Sequence, residues 1–230
     1  MQPADLRLFL EALMEKLSRN KCAELSGDEE ELLTRLGLLN KDICQKALMG
    51  GMCFSTLVPL ALKAIELGAD PERVSKYLNW ADFEVLVTKY LSKSGFTVFR
   101  SIRFTKRRFE VDVIGIDPIS RLCLVIDCKH WKPGYRKGSK LRVAAQEHRS
   151  KVEVLARECS FIVPKYPVLT RAEYLIPIII TLTRVIKGAV NGTIIVPVLL
   201  LRDFIINLDY YVDLFRDDVL IRNPCFLRRR

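Results

Sequence analysis

Residues 109–115 read FEVDVIG and residues 125–132 read VIDCKHWK. In both, acids interrupt a run of β-branched and apolar residues. Strand alternation puts Glu110 and Asp112 on one side of the first stretch, and Val125, Asp127 and Lys129 on one side of the second. The turn DPIS joins the two as an antiparallel hairpin. Pairing Ile116 with Arg121 would set Asp127 opposite Glu110 and diagonal to Asp112, close enough for two acids to share a cation. Leu122, Leu124, Ile126 and Cys128 then form the packing face. Acids at the centres of apolar strands are costly without a partner or an ion, so chemistry is the first reading here.

Two carboxylates suit a hard divalent ion such as Mg²⁺, with Mn²⁺ a plausible substitute. Beside a phosphodiester that ion polarises the phosphate and acidifies a bound water. Lys129, on the same face as Asp127, would neutralise charge in the transition state, because a lysine beside an anionic phosphate stays protonated. Glu110 reads as a supporting carboxylate, or as the partner of Arg107, Arg108 or Lys129. His130 falls at the strand's end and takes a structural reading. Trp131 caps the core, the commoner fate of a lone tryptophan. His148 has no matching ligand cluster and reads as structural or exposed.

The elements that must hold these residues follow from periodicity. Residues 81–94 place Phe83, Leu86, Val87, Tyr90 and Leu91 on one helical side, stopped by Gly95. FTVFRSI reads as a strand, and the hairpin follows it. A helix from about Leu141 to Glu158 comes next, then the strand-like segments YLIPIIITLT and GTIIVPVLLL. Asp203 to Leu214 adds a short helix or strand. Pro177 and Pro197 argue against interior positions for those two residues. The order predicts an α/β fold, a mixed sheet flanked by helices. The first third reads as helices: 4–18, a capping box at Ser26 and Glu29, 41–48, 54–67, and a proline-started helix after Asp70. The expected domains are therefore a smaller helical one over 1–79 and a larger one over 80–230.

The formal net charge of +10 is unevenly placed. Residues 1–79 hold 10 Lys/Arg against 12 Asp/Glu, and residues 80–230 hold 27 against 15. From Arg100 to Arg142 there are 12 bases and four acids, on both sequence sides of the acidic hairpin. Arg103, Lys106, Arg107, Arg108, Lys132, Arg136, Lys137, Lys140 and Arg142 are the candidate phosphate contacts, which grip a backbone without naming bases. The seven cysteines form no CxxC pair, so free thiols in a reducing cytoplasm are the simpler expectation. No stretch supplies about 20 uninterrupted apolar residues, which argues against a membrane span.

The stretches WADFEVLVTKYLSKSGFTV, FEVDVIG and LVIDCKHWK resemble the PD-(D/E)xK nuclease superfamily. Its archaeal Holliday-junction resolvase and Mrr-type restriction endonuclease branches are the most similar. The resemblance covers roughly residues 80–208. It implies a restriction-endonuclease-like fold, with Asp112 and Asp127 as metal ligands and Lys129 as the catalytic lysine of the D-x-K pair. It further implies Glu84 as a metal-assisting acid in the preceding helix and Gln146 as a supporting residue in the following one. No proline precedes Asp112, and the second acid is Asp in place of the more frequent Glu.

The expected function is metal-dependent hydrolysis of DNA phosphodiester bonds, restriction-like, repair-type or junction-cleaving. The expected partners are duplex or branched DNA and a second copy of the chain. A catalytically inactive binding or scaffolding protein on the same core is the alternative, and RNA remains open as a substrate.

Overall fold

The computed structural model describes residues 3–39, 43–46, 51–104, 109–131, 137–183 and 188–227. The chain divides into two compact units, Met1–Leu86 and Val87–Arg230. The first holds α1 (Pro3–Leu17), β1 (Cys22–Ala23), α2 (Gly27–Arg35), β2 (Cys44–Lys46), β3 (Met52–Phe54), α3 (Val58–Glu66) and α4 (Pro71–Ser75). Helix α5 (Trp80–Lys93) runs across the division.

In this first unit the apolar spacing acts as expected: Leu10, Leu13, Met14 and Leu17 of α1 are buried. The capping box opens α2, with the Ser26 N–H donating to Glu29 at 2.7 Å and the Glu29 N–H donating to Ser26 Oγ. Asp70 caps α4 through the Glu72 N–H. One expectation fails. Residues 44–46, read as part of a helix, form strand β2 in a three-stranded antiparallel sheet of order β1-β3-β2. A disulfide between Cys22 and Cys53, which face each other in the β1–β3 register, pins that small sheet.

The second unit is a mixed seven-stranded sheet with flanking helices. In chain order it contains β4 (Thr97–Phe104), β5 (Phe109–Ile116), β6 (Leu122–Lys129), α6 (Lys137–Arg157), α7 (Cys159–Ile162) and β7 (Tyr174–Thr181). Then follow β8 (Gly188–Val190), β9 (Thr193–Pro197), α8 (Leu201–Ile206), α9 (Leu208–Leu214), α10 (Arg216–Val219) and β10 (Ile221–Arg222). The strand order is β4-β5-β6-β7-β9-β8, and β10 joins the start of β7. Strands β6, β7 and β9 run parallel, and the other pairs are antiparallel.

Pro177 is buried in the middle of this sheet, against expectation, level with Val125. The Leu182 N–H donates to the Lys129 carbonyl, so even-numbered N–H groups of β7 face β6 and odd-numbered ones face away. The N–H that Pro177 lacks would fall in a gap on the far edge. There β10 has ended at Leu175 and β9 has not begun before Ile178. A proline is tolerated at that seam because no ladder bond is required. Pro197 closes β9.

Helix α6 is held on the sheet by four polar straps. Asn191 donates to the Arg142 carbonyl, Thr193 Oγ1 to the Ala145 carbonyl, Arg149 to the Gly192 carbonyl, and His148 Nε2 meets the Val125 carbonyl at 2.8 Å. Beneath it, Cys123, Val125, Ile114 and Ile116 pack with Val152, Leu155 and Ala156.

The expectation of free thiols is corrected in this unit too. Cys159 and Cys225 are disulfide-bonded across 66 residues, while Cys44, Cys123 and Cys128 are buried thiols outside any disulfide. The absence of CxxC spacing carried no information, because a sheet brings distant residues together. In the chain-entropy account a loop of this size adds about 4 kcal/mol by restricting the unfolded chain. Cys225→Ser should therefore lower the melting temperature by about 10 °C in calorimetry. An unchanged midpoint in the variant would remove the cross-link as a source of stability.

Candidate active site

The hairpin β5–β6 pairs Ile116 with Cys123, Ile114 with Val125, and Val113 with Ile126. This register differs from the expected one by two residues. The turn is wider than DPIS: the Asp117 N–H donates to the Leu122 carbonyl, and the Asp117 carboxylate accepts from the Ile119 and Ser120 N–H groups. Continued by one pair, that register would set Asp112 level with Asp127, and the two charges act on each other.

At that level the ladder changes hands. Antiparallel pairs exchange bonds at every second position, so after 117/122 the series runs through 115/124 and 113/126 to 111/128. The Cys128 N–H instead donates to Asp112 Oδ2 at 2.7 Å. A carboxylate has taken the acceptor role of a main-chain carbonyl. Strand β4 answers on its side: Arg100 pairs with Val113 and Ile102 with Val111, but Ser101 between them has φ +49°. Such a left-handed residue costs about 1–2 kcal/mol. Across the break both strands shift their alternation. Phe99 and Ile102 pack into the same cluster, as do Val111 and Ile114.

That shift corrects the role of Glu110. It does not share a face with Asp112 but pairs with Arg103 across β4–β5 at 3.0 Å. Arg103, expected to touch phosphate, is the neutralising partner. Asp127 is 6% exposed, on the face packed by α6, and Lys129 Nζ lies 2.7 Å from its Oδ2. Trp131 supports that ammonium, its ring centroid 5.8 Å away, and packs against Leu141, Ala145, Ile179 and Ile195 as a core cap. Cys128 is buried, as expected.

Two residues join the site that the sequence reading did not place there. His148 is buried, with Nε2 on the Val125 carbonyl and Nδ1 without a hydrogen-bond partner among the described residues. Burial lowers its pKa, partly opposed by the nearby Asp127 charge, so the ring stays neutral and Nε2 carries the proton. Lys151, one turn further along α6, acts electrostatically on both Asp112 and His148. His148 sits in the inward stripe Leu141, Ala145, His148, Val152, which was a legible cue. Lys151 carried none.

Glu84 is buried in α5. Gln146, Lys140 and Arg142 are exposed on α6. Lys106, Arg107, Arg108, Lys132 and Arg136 lie outside the described residues, as does the side chain of Lys137.

Burial first, and Asp127 second, hold the Asp112 carboxyl above the ordinary carboxylate range. The Cys128 N–H, Lys129 and Lys151 pull the other way. Two facing carboxylates that repel each other are a donor set fitted to a hard cation such as Mg²⁺, with water completing its shell. One oxygen of each is already engaged, Asp112 by Cys128 and Asp127 by Lys129. Among the described residues no group of three or more His, Cys, Asp or Glu side chains gathers as a ligand set.

No family model matches the chain, and no curated protein does. Among solved structures, protein VC1899 from Vibrio cholerae matches at a TM-score of 0.36 and 14% identity, over 92% of this chain and 52% of that one. This chain thus spans about half the length of that protein. Among the described residues no helix is long and apolar enough to cross a membrane.

Because the folded state holds the Asp112 proton more tightly than the unfolded chain does, this group favours folding at acid pH. That contribution is lost as pH rises through the raised value. Asp112→Asn should therefore melt above wild type at pH 7.5. The gap should close below about pH 4, the ordinary carboxylate value. A constant gap across a thermal-denaturation pH series would dissociate Asp112 from this repulsion.

Proposed function

We propose that the protein is a metal-dependent endonuclease that hydrolyses DNA phosphodiester bonds. The observation that carries the reading is the electrostatic interaction of Asp112 with Asp127, with Lys129 closing on Asp127 at 2.7 Å. A hairpin that brings a half-buried acid within reach of a buried one adds mutual repulsion to the cost of desolvation. A bound Mg²⁺ would supply a Lewis acid for the phosphate and an acidified water.

The chain's own groups then divide the work. Asp112 and Asp127 would hold the cation, and the Cys128 N–H orients the Asp112 carboxylate. Lys129 would neutralise charge developing on the phosphoryl oxygens. Lys151 adds a second positive field from α6. The resemblance to PD-(D/E)xK nucleases and the mixed sheet are consistent with these roles, and Glu84 is retained as an assisting acid on the resemblance alone. A duplex has two strands, so a symmetric pair of chains is the simplest assembly that cuts both. A cytoplasmic setting suits a DNA substrate. The two disulfides fit it where intracellular proteins keep such bonds, as in hyperthermophiles.

A second reading, a non-catalytic nucleic-acid-binding protein, is favoured by one observation: the Lys129–Asp127 ion pair satisfies both charges without a metal. Nicking assays separate the two. With Mg²⁺ or Mn²⁺, wild type should cleave at least one of duplex, flap, four-way-junction or single-stranded DNA. Asp127→Asn and Lys129→Met should each lose on the order of 10²-fold or more in rate while still binding. Equal cleavage by wild type and both variants would remove the assigned roles. Binding that persists in EDTA with no cleavage under any metal would favour the second reading.

A further inference from the structure

The disulfide between Cys22 and Cys53 joins the two halves of a clamp on the start of α5. Lys21, immediately before Cys22, turns the chain out of α1 with φ +59°, a left-handed conformation that a lysine keeps only under restraint. Its carbonyl accepts from the Phe54 N–H at 2.8 Å, and its Nζ donates to the Ser55 carbonyl at 3.2 Å. The same ammonium lies 2.9 Å from Asp82 Oδ2. Thr56 Oγ1 donates to the other carboxylate oxygen, Oδ1, at 2.7 Å. Asp82 is buried, and its own N–H donates to Asn79 Oδ1, so its side chain fixes the first turn of α5. One jaw of the clamp is thus attached to Cys22 and the other to Cys53.

Apart from the sulfur bridge, little main-chain structure holds the jaws together. Strand β1 pairs with β3 at two positions only, Cys22 with Cys53 and Ala23 with Met52. Both cysteines are half-buried, and access is what an attacking thiolate needs. The other cystine differs. Cys225 is buried, and with Cys159 it packs in the core of the larger unit beside Ala156 and Leu155. The two disulfides therefore meet a reductant unequally, the first open to exchange and the second obstructed.

We infer that Cys22–Cys53 is a thiol–disulfide exchange site for a dithiol reductant, and that opening it releases Asp82 and loosens the start of α5. One thiolate of the dithiol attacks a cystine sulfur, forms a mixed disulfide and expels the other cysteine as a thiolate. The second sulfur of the dithiol then displaces the first cysteine. Two electrons and two protons pass to the protein, leaving Cys22 and Cys53 as thiols and the dithiol as a disulfide. Lys21 then relaxes from its left-handed conformation, and both grips on Asp82 open.

The full chain is titrated with dithiothreitol, trapped with N-ethylmaleimide and peptide-mapped by mass spectrometry, with hydrogen exchange followed in parallel. Cys22 and Cys53 should be alkylated at dithiothreitol concentrations about 10-fold below those that open Cys159–Cys225. At that step, exchange over residues 82–86 should accelerate about 10-fold, with β5, β6 and β7 unchanged. Reoxidation should restore the slow exchange. Lys21→Met, with the disulfide intact, should show part of the acceleration before any reductant is added. Joint reduction of the two cystines, or exchange over 82–86 that does not respond when Cys22–Cys53 opens, overturns the site. So does loss of protection throughout residues 3–75 at the same step, which is unfolding of the first unit and not release of a clamp. A Lys21→Met protein that exchanges like wild type removes the ammonium from the clamp and overturns the link to Asp82.

Discussion

The structure turns on a substitution in the hydrogen-bond ladder: the Asp112 carboxylate, not a main-chain carbonyl, receives the Cys128 N–H. An unpaired buried N–H would be costly, so the exchange must be complete at every point along the strand pair. Once made, it fixes the Asp112 carboxylate within electrostatic reach of Asp127, a like charge. The left-handed Ser101 on β4 and the shifted alternation of both neighbours mark where the sheet bends around that exchange. Stability is given up locally where the like charges and the left-handed backbone meet.

Around this point the protein recovers rigidity from its other elements. Helix α6 is tied to the sheet by main-chain acceptors on both sides. One of its own side chains, His148, reaches the Val125 carbonyl two residues before Asp127. The same helix brings Lys151 within electrostatic range of Asp112 and presents a partly apolar outer face. Fixing the helix thus fixes the positive field opposite the acids.

Much of this was legible in the residues. Alternation in FEVDVIG and LVIDCK gave the hairpin, and helical spacing with Gly95 gave α5, because short-range sterics decide both. Glu110 was misplaced because alternation presumes an unbroken strand, and a break caused by a side chain bonding across the ladder leaves no trace in composition. The register erred by two because Asp117 widens its own turn. That error kept facing parity, so Asp112 and Asp127 stayed on a common side. The disulfides and the buried Pro177 depend on which strands become neighbours, and no local pattern encodes that.

The cystine at Cys159–Cys225 has a mechanical consequence. Strand β10 is held to β7 over only two residue pairs and would peel easily on its own. Asn223 donates to the Leu169 and Ala172 carbonyls, and the disulfide then joins the segment to the turn after α6. Tension applied to the chain beyond Cys225 would pass through sulfur into that turn, bypassing β7, β8 and β9. The strands between the two cysteines, β7 to β10, are thereby taken out of the line of pull at this end of the chain.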